Sequence, residues 1–482
     1  STFSALQMGV NELYLGDSDV VLAGGVDTMN DIFMYMCFSK TPALSRSGDV
    51  RPFSDQADGT MLGEGLGMFA LKRLPDAERD GDPIWAVIRG VGSSSDGRAK
   101  SVYAPLPRGQ AKAIRRAYGI AGFGPDTVEL LEAHGTGTKA GDAAEFEGLK
   151  TVFDESGRGD RQWCALGSVK SQVGHTKAAA GAAGLFKAVM AVRHKTLPPT
   201  IKVDRPNPKL GLAETPFHLN TVTRPWVRGS DHARRAGVSS FGFGGSNFHV
   251  AVEEYTGPNP LKKRLNSMGA WLVTLTGADG AAVARQAREL AADAHVPGFL
   301  PWLSHDSLAR FDKDAPARLG LVATDADDLV EKLNAAADRI DKKGKAFSTP
   351  DGTSFGLGPA LDGGVAFLFP GQGSQYVGMG GQVAIHSDAA MGPWDAAADH
   401  PLGGERLHDV VYPRPVFSDA DRAAQQDKLT ATEWAQPAIG VTSLSYLALV
   451  GELGLTPDAV AGHSYGEVTA LHVAGVYDAE TM

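Results

Sequence analysis

The chain has 482 residues, 43% of them hydrophobic and 21% charged, with a net charge of −10 and two cysteines. That length holds about three domains, and the acidic balance argues against a nucleic-acid surface, which would be basic. No apolar run reaches the ~18 residues of a membrane span, and Cys37 and Cys164 have no metal or disulfide spacing, so a reducing, cytoplasmic setting is the simplest expectation.

The opening "STFSALQMGVNELYLG" has neither a basic n-region nor a cleavage site, so it does not read as a signal peptide. Phe3, Leu6, Val10 and Leu13 share one face and predict a helix. From there to about residue 255, short apolar strands alternate with helices. "DVVLAGGV", "GMFALKRL", "WAVIRGVG", "VELLEAHGTGT", "WCALGSVKS", "RRAGVSSFGFGG" and "NFHVAVEE" read as strands; 109–121, 140–153 and 177–194 read as helices. Such alternation means layered α/β. "YTGPNPLKKRLN" (255–266) is a polar, Pro- and Lys-containing break. A small α/β unit follows, with amphipathic helices "DGAAVARQARELAADA" and "DADDLVEKLNAAADRI" around the strand "ARLGLVAT". After a second break, "DKKGKAFSTPDGTSFGLGPALDGG", a third unit opens with "VAFLFPGQGSQ". No solenoid-type repeat is present.

Three segments place polar groups at strand ends, where α/β folds build their sites. "LEAHGTGTKAGDAAEFEGL" carries His134 in a Gly/Thr turn. "LGSVKSQVGHTKAAAGAAGLFKAVMA" carries Lys170 at a strand end and His175 in a loop. "GVSSFGFGGSNFHVAVEE" is a glycine-dense strand turn. Two loop histidines can donate two N–H bonds to an oxyanion. Taken singly, each is more simply a satisfied structural residue, a surface cation or a tight turn. Cys37, in "FMYMCFSKTPALS", is expected to be a core thiol and Cys164 a structural one.

Together, "EAHGTGT", "GSVKSQVGHTKAAAG" and "SSFGFGGSNFHV", with "RPFSDQADGTMLGEGLGMFALKRL" and "GRAKSVYAPLPRGQ", resemble the C-terminal half of a β-ketoacyl synthase with a thiolase-like fold, over about 1–255. Ser54 departs from the Asp usual after "RPF", with Asp55 next to it. The resemblance implies a decarboxylative Claisen condensation of malonyl units carried on acyl carrier protein. His134 and His175 would stabilise the enolate oxygen, Lys170 would orient His175 and the polar network, and the backbone N–H of Phe241 would complete the oxyanion hole. Gly244, Gly245, Asn247 and His249 would support the glycine turn. The nucleophilic cysteine of relatives falls two residues before Ser1, ahead of this chain's first residue.

"FLFPGQGSQYVGMG" followed by "LTATEWAQPAIGVTSLSYLALVGELGLTPDAVAGHSYGEVTAL" resembles the N-terminal part of a malonyl-CoA:ACP acyltransferase. Ser464 lies in Gly-His-Ser-Tyr-Gly, the spacing of a nucleophile elbow. The resemblance implies an acyl-enzyme at Ser464, with an oxyanion hole from the backbone N–H groups of Gln372 and Tyr465. The family's histidine base lies later in the domain; His463 points elsewhere in relatives, and His472, two turns along the next helix, is too far to serve.

The expected fold is α/β: a partial thiolase-like ketosynthase (1–255), a small α/β linker domain (256–360) and a partial α/β-hydrolase-like acyltransferase core (361–482). Both termini are expected to fall inside longer domains. The implied function is a multidomain synthase that elongates acyl chains with malonyl-CoA, closest in pattern to the first subunit of bacterial polyunsaturated fatty acid synthases. The alternatives are enediyne- or glycolipid-type iterative polyketide synthases, or a non-catalytic docking scaffold derived from one. No metal and no directly bound cofactor are expected. Phosphopantetheine would arrive on the acyl carrier protein partner, and the parent would form a homodimer through the ketosynthase.

Overall fold

In a computed structural model, residues 2–41, 43–98, 104–264, 269–359 and 363–482 are described. Part of "GRAKSVYAPLPRGQ" and the expected 360/361 boundary lie outside them. The chain divides into two compact units.

The first unit spans Ser1–Arg264, Leu368–Leu455 and Ala461–Met482. Helix α1 (Thr2–Leu15) leads into β1 (Val20–Asp27). After α2 (Ile32–Lys40), β2 (Gly65–Lys72) returns antiparallel to β1, from Val20↔Lys72 to Asp27↔Gly65. Beyond α3 (Leu74–Asp80) come β3 (Val87–Ser95), α4 (Pro107–Ala121), β4 (Leu130–Glu132), α5 (Lys139–Asp154), β5 (Cys164–Gly167), α6 (Lys170–Val173) and α7 (Ala180–His194). Two short strands, β6 (Thr196–Leu197) and β8 (Arg224–Pro225), pair with each other on either side of β7 (Phe217–Leu219). The hairpin β9 (Arg235–Gly242) and β10 (Ser246–Glu253) follows. One sheet runs β3-β10-β9-β4-β5-β7, with β9, β4, β5 and β7 parallel and β10 antiparallel to β3 and β9.

Alternation along these strands sends successive side chains to opposite faces. Leu131, Cys164 and Leu166 join Ile114, Tyr118, Leu149 and Phe153 of α4 and α5 in one core. Leu130, Ala165, Val238 and Val250 join Phe3, Leu6, Leu185 and Val192 of α1 and α7 in another. The β1–β2 ribbon lies against α1 and α7. The layers are thus helices, sheet, helices and ribbon.

Two expectations need correcting. Cys37 is exposed, not a core thiol: α2 buries none of its residues, and Ile32 (80%) and Phe33 (65%) stand open. An apolar stretch shows what could be buried, not what covers it. Lys170 does not end a strand; β5 stops at Gly167 and Lys170 opens α6. Cys164 is buried as expected, and burial pushes its thiol pKa well up.

The second unit, Leu265–Phe367 with Thr456–Val460, holds β11 (Trp271–Gly277), α8 (Gly280–Asp293), α9 (Phe299–Ala309), β12 (Ala317–Ala323), α10 (Ala326–Lys343), β13 (Phe347–Ser348) and β14 (Ser354–Leu357). Its antiparallel sheet runs β11-β12-β14-β13. Asp279 and Asp325 cap α8 and α10, accepting from Ala282 N–H and Asp328 N–H. Val283, Ala287, Leu329, Leu333 and Ile340 then pack on Val273, Leu319 and Leu321.

The remaining elements are β15 (Ala366–Phe369), α11 (Gly381–His386), α12 (Asp388–Ala397), α13 (Leu407–Val411), α14 (Asp419–Thr430), α15 (Thr432–Glu452), β16 (Ala459–Gly462) and α16 (Tyr465–Val473); β15 pairs with β16. Within the first unit, buried Arg234 bonds both carboxylate oxygens of Asp395 on α12, at 2.6 and 2.7 Å, and both of Glu254. Among the described residues no helix is long and apolar enough to cross a membrane, and no cluster of three or more His, Cys, Asp or Glu is arranged to hold a metal.

Candidate active site

β4, β5 and β9 are parallel, so their C-terminal ends share one edge of the sheet. His134 stands two residues past β4, Lys170 three past β5, and Phe241 near the end of β9. His175 arrives from the loop after α6, which is bonded to the segment before β2: His175 N–H donates to Met61 O (2.7 Å) and Gly63 N–H to His175 O (3.0 Å). The structure therefore gathers His134, His175, Lys170 and Phe241. The His134 and His175 rings stand 5.4 Å apart, nearly perpendicular at 82°, with the Phe241 ring 6.2 Å from His134. Thr2, at the start of α1, is tied to the segment just after His175, its hydroxyl donating to Ala178 O at 2.8 Å.

Both imidazoles are held neutral. Burial, then the positive charge of Lys170, pushes His134 well below its ordinary value and His175 down to about 3. Lys177 N–H donates to His175 Nδ1 (3.0 Å), so the ring proton sits on Nε2. His134 Nδ1 is buried without a hydrogen-bond partner among the described residues.

The sequence reading missed the carboxylates beneath. Glu145 on α5 accepts the N–H groups of His134 and Gly135, both at 2.7 Å, and fixes that turn. Asp142 accepts from Phe53 N–H (2.8 Å) and Gly137 N–H (3.1 Å). Glu132 accepts Val169 N–H (2.6 Å) and pairs with Lys187 (2.9 Å). Burial pushes Asp142 and Glu145 up to about 7. Lys170 is buried among these three carboxylates and donates to His134 O; burial lowers its pKa against their attraction. Asp142 and Glu145 were findable, since "GDAAE" puts two carboxylates one helical turn apart.

The residues expected to support the glycine turn lie in and around the β9–β10 hairpin. Gly244 and Gly245 turn the β9–β10 hairpin at φ +86° and +77°. Asn247 Nδ2 donates to Asp96 (2.7 Å). Fully buried His249 is bonded to Tyr118 Oη and Ser239 Oγ, each at 3.0 Å. At Ser54, the hydroxyl accepts Gln56 N–H (3.1 Å), and Asp55 pairs with Arg205.

Ser464 sits between β16 and α16 at φ +55°, ψ −123°, exposed and strained, as a nucleophile elbow demands. Residue 466 must be glycine: a Cβ there would lie 2.1 Å from Phe369 O. Residue 371 must be one too, since its Cβ would meet His463 O at 2.3 Å and Ser464 Cβ at 2.7 Å. That close approach brings Gln372 beside Ser464. Neither the Gln372 nor the Tyr465 N–H has an acceptor among the described residues. No side chain among them hydrogen-bonds Ser464 Oγ, and His472 Nδ1 is engaged by Tyr477 O at 2.9 Å.

Comparison with known proteins gives four family matches along the chain. Residues 1–77 and 85–204 match the family models of the beta-ketoacyl synthase N-terminal and C-terminal domains, 206–312 the ketoacyl-synthetase C-terminal extension, and 366–481 the acyl transferase domain. The chain is 39% identical over its whole length to one of the subunits of a polyunsaturated fatty acid synthase from Thraustochytrium, covering 18% of that protein. It is 37% identical to mycoketide-CoA synthase of Mycobacterium tuberculosis, again over its whole length and 11% of the relative. Among solved structures, the ketosynthase from module 6 of the Bacillus subtilis bacillaene synthase is 32% identical (TM-score 0.53; 70% of this chain, 58% of that one), and is thiolase-like in fold. The chain spans less than a quarter of each of these two curated relatives.

Proposed function

The chain carries β-ketoacyl synthase and acyl transferase domain sequence, and on that premise we propose that it serves a multidomain synthase that elongates acyl chains with malonyl units. We divide it into a ketosynthase portion (1–255), a linker domain (256–360) and an acyltransferase portion (361–482). The subtype we favour is a polyunsaturated fatty acid synthase, in line with the 39% identity over the whole chain. The perpendicular pair of half-buried, neutral histidines is the observation that carries this reading.

In it, a malonyl thioester on the phosphopantetheine of an acyl carrier protein brings its carbonyl oxygen to the pair. His175, its proton on Nε2, donates to that oxygen, and His134 acts beside it. Loss of CO2 leaves an enolate whose charge both rings and the Phe241 N–H stabilise; neutral donors fixed in advance suit a charge that develops only in the transition state. Lys170 holds the His134 turn by its carbonyl and adds its charge to the burial that keeps both rings unprotonated. At the second centre of the parent synthase, Ser464 Oγ takes malonyl from malonyl-CoA, its proton passing by way of the histidine base that the family places later in the domain to the CoA thiolate that leaves, with the Gln372 and Tyr465 amides on the oxyanion. The working assembly is a cytoplasmic homodimer through the ketosynthase, and neither centre uses a metal or a directly bound cofactor.

The test is release of labelled CO2 from malonyl-carrier protein by the full chain. No carbon–carbon bond should form, since neither cysteine stands at the histidine pair. His134→Ala and His175→Ala should each cut CO2 release roughly 10²–10³-fold. Absence of decarboxylation, or its persistence in both variants, overturns the reading. A docking scaffold derived from a synthase is the second reading. It is favoured by Ser464 Oγ, which no side chain among the described residues hydrogen-bonds, and absence of decarboxylation would point to it.

A further inference from the structure

Lys177 is the one lysine of the His175 loop whose backbone lies in the left-handed region, at φ +46°. A side chain with a Cβ adopts this conformation only when its surroundings impose it. Here it lets the Lys177 N–H point back at His175 Nδ1. The side chain shows what imposes it. Nζ reaches Asn30 Oδ1 (2.6 Å), Asp27 Oδ1 (3.0 Å) and Gly63 O (3.2 Å), and the side chain as a whole is 8% exposed. All three ammonium donors are therefore satisfied. Asp27 also accepts the next backbone N–H, from Ala178, on its other oxygen (3.3 Å). One carboxylate thus holds residue 177 by its side chain and residue 178 by its backbone. Burial acts to raise the Asp27 pKa, but the Lys177 bond and the Met29 and Ala178 amides outweigh it, and the carboxylate stays below its ordinary range.

Asp27 ends β1, Asn30 follows it, and Gly63 leads into β2 and itself donates to His175 O. The ammonium therefore joins both strands, at one end of the ribbon, to the loop that carries the histidine. We propose that Lys177 is a positioning residue: its ammonium holds its own backbone left-handed, so that its N–H fixes His175 as the Nε2–H tautomer. This deepens the oxyanion reading and rests on it for its use in catalysis. The geometric claim stands apart, because a tautomer can be read without turnover.

The experiment labels histidine with ¹⁵N in the full chain and records ring-nitrogen spectra near neutral pH. His175 is assigned by the signal lost in His175→Asn. In the wild type its Nδ1 should be pyridine-like and its Nε2 pyrrole-like. Lys177→Met keeps the stem and removes the charge. Losing one hydrogen bond of ordinary net strength should raise the Nδ1–H form about five- to tenfold. Lys177→Gly, free to adopt the left-handed backbone without strain, should keep the Nε2–H form better than Lys177→Met. The His249 signal reports folding, since its ring is bonded far along the chain to Tyr118 and Ser239. An unchanged His175 tautomer in folded Lys177→Met overturns the proposal. If that variant loses the His249 signal, Asp27→Asn decides in its place: an unchanged tautomer there also overturns it. A fixed tautomer with decarboxylation untouched by His175→Ala would leave this proposal standing and remove the oxyanion reading.

Discussion

His249 offers a measurement in which one buried group can be isolated. Nothing of it reaches solvent, and burial alone pushes its pKa from 6.5 down to about 3. The unfolded chain takes up a proton near pH 6.5 while the folded one refuses it until about pH 3, so this group's contribution to stability is lost as pH falls through that window. At pH ~4.5 the loss is about two pKa units, or ~2.7 kcal/mol, and at pH ~7.5 close to nil. Glutamine does not titrate. His249→Gln disturbs the bonds to Tyr118 and Ser239 and should cost roughly 1–3 kcal/mol at neutral pH. The gap between the two proteins should therefore close by ~2.7 kcal/mol on going to pH ~4.5, as read from urea unfolding at each pH. Asp142 and Glu145, whose raised pKa values act in the opposite direction, are shared by both proteins and cancel in the difference. A gap that stays constant with pH refutes the claim that His249 is held neutral.

Two further substitutions probe the packing. Gly466→Ala drives a methyl group into the backbone of Phe369, where no flexible side chain can yield, so it should lower stability by about 3 kcal/mol and shift the thermal midpoint down. Arg234→Met strands Asp395 and Glu254 without their cation and should cost about 3–5 kcal/mol in urea unfolding; adding Asp395→Leu should restore part of it, and no recovery would mean the pair is not coupled.

The alternation of strands and helices was legible because β4, β5, β9 and β10 are apolar runs bounded by glycine turns, and because α8 and α10 carry a clear apolar stripe. His134 was legible as a residue just past a strand, Lys170 was placed in the right segment but on a strand end rather than at the start of a helix, and Phe241 was reached only through the resemblance. α2 was not: its apolar residues gave no sign that the surface over them is open. Nor was β7, three residues long and recognisable only from its pairing with β5. Lys177 lay in plain view in "GHTKAAAG", yet its partners Asp27, Asn30 and Gly63 are over a hundred residues away. Local pattern reports what a segment can form, and only the assembled chain reports what its side chains meet.

The backbone at Ser464 bears on the choice between a working enzyme and a relic. A serine at φ +55°, ψ −123° lies where glycine alone is comfortable, at a cost of about 1–3 kcal/mol. A lineage that had given up acyl transfer would gain stability from the first glycine to appear there, by a single codon change, and nothing would select against it. The strain at Ser464 is thus a standing cost to the fold that a relic would have no reason to keep, and Ser464→Gly should raise stability by about that amount, as read from urea unfolding.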